Sequence, residues 1–526
     1  MEYITALFGP TSGSNESKEV SNKLSNKEGK DTSTSILSDS GLEKIASLLN
    51  TQTYYSHEVC ENLLSKGSIF PKANEIAFYQ NTITKLRNME DKEKMNEHIK
   101  DFVACEKRCA FFFEEKNSLE SLEEDTFGQL IFQHHALKIF NHIPFFVMLV
   151  SYMKIYFVPI VSVVLPFLMY FLPYLLVKYV WKLPISFEMY QEIMGKMWSF
   201  SMDMSPDKIL QNLLTVFTLG QSMYQPIQNA FHLHTIHKNI HGLGTAIYDL
   251  MNSVEKIQAL LKKSGISFHI SKLTLPEKDA HRAFIEILEQ PSRLLAVSKD
   301  IAKLDILWAI SQNVDFEKVT FYASEKPFFK GTNIVDMNLE KGAKGSTINI
   351  LENNNHFLLS GPNGGGKSSF LRGLLQTVVL SQAFGYSIAK NVEISPFDFI
   401  LSGLHIVDNP GKQSLFEKEI IFARDVLYHN NPKYKGFVVF DEIFHSTNPP
   451  DGIRTSQLFL QKLWSYSHMC SIVSTHVFEI IETAPAQIQK ICVKAVRTES
   501  GMKYDYCISE GICKESSVDE IWKKEW

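Results

Sequence analysis

The sequence predicts an α/β domain over residues 316–526, C-terminal to an all-α region that is interrupted by a membrane-crossing segment. Three observations predict this. An apolar strand, a glycine loop and an amphipathic helix succeed one another at 356–380. A charge-free apolar stretch occupies 155–177. Helical periodicity, with apolar residues three and four apart, fills most of 41–135 and 185–315.

The glycine loop lies in FLLSGPNGGGKSSFL, 357–371. Its core, GPNGGGKSS, fits G-x-x-x-x-G-K-[ST] with Gly361, Gly366, Lys367 and Ser368 at the fixed positions. Each part answers a physical need. Gly361, Gly364, Gly365 and Gly366 let backbone N–H groups close around a β-phosphate, and the helix N-terminus faces the anion. Lys367 reaches the β- and γ-phosphates, and the Ser368 hydroxyl suits Mg²⁺. Glycine-rich turns are common, but this pattern between a strand and a helix predicts a nucleoside triphosphate site.

Two downstream strands complete it. GFVVFDE, 436–442, is expected to deliver Asp441 to the metal and Glu442 to the attacking water. Adjacent strand residues point to opposite faces, so the strand must end here for both to reach one site. SIVSTH, 471–476, ends in His476, where it would sense the γ-phosphate.

The helical region is broken at 155–177, which is 23 residues without a charge. A bilayer core needs about 20 apolar residues as helix. Pro159, Pro166 and Pro173 argue against a soluble buried helix, where each interior proline costs roughly 3 kcal/mol; membrane helices tolerate them better. Residues 139–153 are also apolar. Lys138 before the region and Lys178 and Lys182 after it favour both ends on the cytoplasmic side, so 136–184 is expected to form a helical hairpin.

The remaining features set limits. A net charge of −5 gives no global basic surface, which weakens a nucleic-acid reading while leaving a local patch open. Seven scattered cysteines with no C-x-x-C pair predict no disulfide partners and a reducing compartment. Residues 1–40, rich in Ser, Asn and Lys, are expected to be a disordered tail. His234, His237 and His241 share a helix face, but no carboxylate or cysteine stands beside them at ligand spacing, and a packed helical arm is the better expectation.

Together these residues resemble the ATPase domain of the MutS family, within the ABC class of phosphate-loop ATPases. GPNGGGKSS is similar to that family's loop through Pro362, Asn363 and Ser369 as well as the fixed positions. SLFEKE, 414–419, resembles the family's Ser-x-Phe-x-x-Glu segment. DEIFHSTNPPDG, 441–452, resembles its Walker B and D-loop segment, with Phe444 and His445 where the family has Gly-Arg. AKLDILWAI, 302–310, is similar to the link between lever helices and ATPase, which makes 41–135 and 185–315 the expected core and lever helices. From its length, this chain is expected to lack the family's mismatch-reading domain. The resemblance implies ATP and Mg²⁺, held by 361–369 with Ser368 and Asp441 at the metal. It implies Lys367, Glu442 and His476 in catalysis, and Ser414 completing the site of the opposing subunit in a homodimer. The implied protein is a membrane-tethered ATPase, its ATPase domain on the cytoplasmic side and its arms acting on DNA in repair, recombination or replication. A transport or membrane-remodelling ATPase and a nucleotide-switched scaffold without DNA are the alternatives.

Overall fold

The computed structural model describes residues 36–113, 127–132, 134, 136–197, 206–275, 279–340, 342–406, 414–498 and 501–515. Its principal helices are, in the N-terminal part, α1 (Ser56–Ser68), α2 (Ala73–Arg87), α3 (Lys92–Arg108), α4 (Pro144–Val180), α5 (Phe187–Met197), α6 (Pro206–Lys263), α7 (Ala280–Glu289) and α8 (Pro291–Gln312). Strands β1 (Phe329–Ile334), β2 (Ser346–Ile350) and β3 (His356–Ser360) precede α9 (Lys367–Phe384). After it come β4 (Lys390–Ile394), β5 (Phe399–Gly403), α10 (Leu415–Tyr428) and β6 (Gly436–Phe440). Helix α11 (Pro449–Leu463), β7 (Met469–Ser474), β8 (Gln489–Thr498) and β9 (Gly501–Glu510) complete the order. The chain divides into two compact units, one of 1–94, 259–269 and 299–526, the other of 95–258 and 270–298.

The first unit is built on a six-stranded sheet in the order β9-β8-β3-β7-β6-β5. All neighbours are parallel except the β8–β9 hairpin. Strands β3, β5, β6 and β7 are buried at every position. That explains why GFVVF and HFLLS read as unbroken apolar runs rather than alternating ones: parallel strands are covered on both faces. A second sheet, which includes β4-β1-β2, lies within the same unit.

Residues 41–94, expected as part of the lever, pack inside this unit. Gly67 of α1 lies so close to α9 that a Cβ there would stand 2.9 Å from the backbone of Ala383. The Gln382 amide of α9 donates to the Gly67 carbonyl at 2.8 Å. Gln80 of α2 donates to the carbonyls of Val319 and Gly385 at 2.8 and 2.9 Å. The tail expected over 1–40 lies outside the described residues as far as residue 35. Residues 36–40 are helical, and the buried Asp39 carboxylate accepts from Ser402 Oγ at 2.6 Å and from the Leu404 amide at 3.2 Å.

The second unit contains α4, the one described helix long and apolar enough to cross a membrane, 37 residues with none of its most apolar window buried. It differs from the hairpin expected over 136–184. The chain runs as one helix through Lys154, whose ammonium donates to the Gln129 carbonyl at 2.6 Å. Wider π-helical turns at Met153–Phe157 and Leu176–Val180 interrupt the α-helical pattern. The first lies beside Pro159, where a missing N–H and a ring clash would strain a regular helix. The reversal comes after Trp181, where Lys182 has φ of 50°. Helix α5 then packs back, with the Tyr190 ring 5.9 Å from Tyr170 and 5.2 Å from Tyr174.

The Gly67 contact makes a testable prediction. Gly67→Val should overpack the α1–α9 contact and destabilise the protein by about 1–3 kcal/mol, read as a lower denaturant midpoint. An unchanged midpoint would mean that the two helices are free to separate.

Candidate functional site

Three neighbouring parallel strands, β3, β7 and β6, end on the same edge of the sheet. Ser474 pairs with Leu359 and Val473 with Phe440, so the residues just past each strand emerge side by side. These are the glycine loop after β3, Asp441 and Glu442 after β6, and Thr475 and His476 after β7. The carboxyl edge of such a sheet is where open α/β folds hold ligands.

The loop turns through left-handed backbone at Gly364 and Gly366, with φ of 76° and 97°. A Cβ at Gly364 would meet nothing within 4 Å, so the conformation and not crowding asks for glycine there. Helix α9 starts at Lys367 with its first amides facing this turn. The Lys367 ammonium curls back over the loop and donates to the carbonyls of Gly361 and Pro362 at 2.9 and 3.1 Å. Burial pushes its pKa down, against the opposing pull of Glu442 and Asp441. Asn363, Gly364 and Ser368 are exposed, while Gly361, Pro362 and Gly365 are buried.

The strand β6 ends at Phe440, and Glu442, two residues on, has φ of 50°. Left-handed backbone at a non-glycine costs of order 1–3 kcal/mol and clusters at functional sites. It is held here by hydrogen bonds. The Glu442 amide donates to Ser474 Oγ at 3.0 Å, and that hydroxyl in turn donates to Asp441 Oδ1. His476 Nε2 stands 2.6 Å from Glu442 Oε1. This bond, above all, pulls the Glu442 carboxyl below its ordinary range, against burial, with Lys367 and His445 adding smaller effects. Lys367, Asp441, Glu442 and His476 therefore form one charge-coupled group.

Ser414 is not joined to that group by any described hydrogen bond. It caps α10, accepting from the Glu417 amide at 3.3 Å while its own amide donates to Glu417 Oε2 at 2.9 Å. Further along α10, buried Glu419 reaches the turn after Glu442. Ser446 Oγ donates to it at 2.6 Å, and His445 Nδ1 stands 3.1 Å from it. Phe444 is buried against Phe416, Phe440 and Phe459. Phe444 and His445, which depart from the Gly-Arg pattern, thus have packing and polar roles of their own.

A cavity of about 360 Å³ beside the loop is lined by Ile334, Leu339, Lys344, Ser369, Phe370 and Tyr506 among others. Tyr506 comes from β9 and would lie 3.4 Å from a Cβ at Gly366. Ile334 lines this cavity, while Phe329 is wholly buried and Phe328 packs against Tyr322. Sequence reasoning missed Tyr506 and Ser474, and it singled out Glu419 only as a motif position without its contacts. Among the described residues no group of three or more His, Cys, Asp or Glu side chains could hold a metal, the histidines of α6 included. The glycine loop, αL glycines and helix start fit a phosphate chain. The hard oxygens of Ser368 and Asp441 are the donor type that Mg²⁺ prefers.

The His476–Glu442 bond has a pH consequence. A carboxyl whose folded pKa is depressed contributes stability above its unfolded value and loses it as pH falls through the folded value. His476→Ala removes the main depressing contact and leaves burial, which acts the other way. The stability gap between wild type and His476→Ala should be widest near neutrality and narrow on acidification. Thermal midpoints from pH 7 to pH 3 check this; a gap independent of pH would contradict the assignment.

Residues 357–521 match the family described as MutS domain V. Over 249 residues the chain is 25% identical to the DNA mismatch repair protein MutS of Shouchella clausii, covering 45% of this chain and 28% of that protein. With the protein of the same name from Leuconostoc mesenteroides it shares 26% identity over 270 residues, 48% of this chain and 31% of the relative. With that of Geobacillus sp. it shares 22% over 302 residues, 54% and 35%. The chain thus spans about a third of the length of the curated relatives it matches. The region that carries the loop, the Asp441–Glu442 turn and His476 is the region similar to MutS.

Proposed function

We propose that the protein is an ATP-hydrolysing, membrane-tethered MutS-like machine that works as a homodimer, its ATPase domain on the cytoplasmic side. The observation that supports this most is the meeting of Lys367, Asp441, Glu442 and His476 at the ends of three adjacent strands. Ser368 and Asp441 would hold Mg²⁺, which would offset the negative charge of the phosphates.

The chain's own groups then have separable tasks. The loop amides and α9 N-terminus bind and orient the phosphates. Lys367 leaves its two carbonyl partners to neutralise charge developing on the transferred group. Glu442, kept ionised by His476, accepts hydrogen bonding from the attacking water and takes its proton. Tyr506 and Ile334 flank the space for the base. Ser414, exposed at the start of α10, supplies its hydroxyl to the site of the opposing subunit, and α10 would carry the closure to the arms. The relatives are DNA mismatch repair proteins by name, and DNA is proposed as what the arms act on.

The test is phosphate release by detergent-solubilised protein. Glu442→Gln should lower turnover by about 10²–10⁴-fold while nucleotide still binds. Undiminished turnover would remove Glu442 from the mechanism. Tyr506→Ala should weaken nucleotide binding about tenfold, within the roughly 1–3 kcal/mol of base–aromatic stacking. Duplex or branched DNA should raise the rate at low salt, with the effect fading as salt rises; a rate indifferent to every DNA would exclude DNA as the target.

A further inference from the structure

We propose that the first half of α6, residues 209 to about 226, is a second membrane-crossing segment that returns the chain across the bilayer entered by α4. This rests on the membrane reading of α4 and adds to it a two-span topology with different boundaries from the expected hairpin.

Helix α4 has no turn within it, so if it crosses, Trp181 lies on the far side. Yet later residues pack at its entrance, all within one compact unit. Ser222, Gln225, Asn229 and Leu233 of α6 line a cavity of about 770 Å³ with Gln129, which precedes α4, and with Lys154 and Val158 in its first half. The His142 ring lies 3.2 Å from the Glu289 carboxylate of α7. Phe284 of α7 lies 5.6 Å from Phe112 and 5.3 Å from Phe127. Arg108 pairs with Asp249. A chain that leaves through α4 and lines this cavity again between Ser222 and Leu233 must cross again on the way.

The charge pattern favours α6 for that crossing, although 209–226 carries Gln211, Asn212, Gln221 and Gln225 and is less apolar than α4, the one described helix that is long and apolar enough by itself. Helix α5 carries Glu188, Glu192 and Lys196, and Asp203, Asp207 and Lys208 come next; from 209 to 237 there is no Asp, Glu, Lys or Arg. Residues 209–226 as helix measure about 27 Å, close to the roughly 30 Å of a hydrocarbon core. Their apolar side chains are not covered by protein. Leu210, Leu213, Leu214 and Phe217 are 60%, 62%, 55% and 65% exposed, a contiguous display that water-facing helices avoid. The less exposed side carries Asn212, Thr215, Leu219 and Met223, as a helix with one protein-facing side in a bilayer would. Aromatic side chains bracket the pair: exposed Tyr152, Tyr156 and Tyr224 near the entrance, Tyr179 and Trp181 at the far end, the positions that interfacial belts occupy. The occupant of this face is therefore lipid hydrocarbon.

The experiment is sidedness mapping of the full-length protein in sealed vesicles, with labelled peptides read by mass spectrometry so that the native cysteines do not interfere. Ser186→Cys, Leu213→Cys and Thr235→Cys replace exposed side chains. A membrane-impermeant maleimide added on the ATPase side should label Thr235→Cys. It should label Ser186→Cys only after the vesicles are opened, and Leu213→Cys in neither case. A fluorophore on Leu213→Cys attached in detergent before reconstitution should be quenched by lipids brominated in the acyl chain. If Ser186→Cys and Thr235→Cys react from the same side of intact vesicles, the second span does not exist although the protein stays membrane-bound. If alkaline extraction releases the protein from the vesicles, the membrane reading of α4 fails as well.

Discussion

The parallel hydrogen-bonded register of β3, β7 and β6 is the constraint on which the rest of this molecule depends. Side chains alternate along a strand, so a slip of one residue would turn Ser474 away from Asp441 and bury what should be presented. Both faces of each of these strands are buried, so alternation of apolar and polar residues does not mark the register. The residues just beyond each strand are then placed by chain continuity alone. The glycine loop, the Asp441–Glu442 turn and His476 need no further organisation to meet, only the short bonds among Ser474, Asp441, Glu442 and His476 to set their angles.

How legible this was depended on whether the signal was local. The loop, the apolar strand before Asp441 and the strand before His476 each occupy fewer than about ten consecutive residues, and periodicity together with glycine spacing made them readable. Glu419 could not be read in its role, because its partners His445 and Ser446 lie 26 and 27 positions away and nothing in the chain marks the pairing. Tyr506 is further still from the loop it adjoins, on a strand whose neighbours gave no hint of a ligand. The apolar region was recognisable by composition, but hydropathy reports how long a segment is and not where it turns. Lys154 looked like a break and is a helical residue with a carbonyl partner. Phe444 and His445 looked like departures from a pattern and prove to be an aromatic anchor and a polar contact.

The N-terminal helices show a different limit. Amphipathic periodicity identified them, yet their destination was set by isolated polar side chains. Gln80, Arg87 and Asp305 each satisfy backbone groups more than 220 positions away in sequence. Burying an unsatisfied carbonyl or amide costs about 1–3 kcal/mol, so these few contacts specify which surface the helices cover, while apolar burial supplies the adhesion. Contacts of such separation form late, because loop closure must be met first.

Ser414 and Glu419 stand on one helix, one at its exposed tip and the other buried a little over a turn further on. An α-helix is stiff over so short a span, so the tip cannot be displaced without drawing on the turn that holds Glu442 through Ser446 and His445. The linkage resembles a trigger and its sear: a few ångströms of packed contacts join the exposed tip to the turn that carries Glu442.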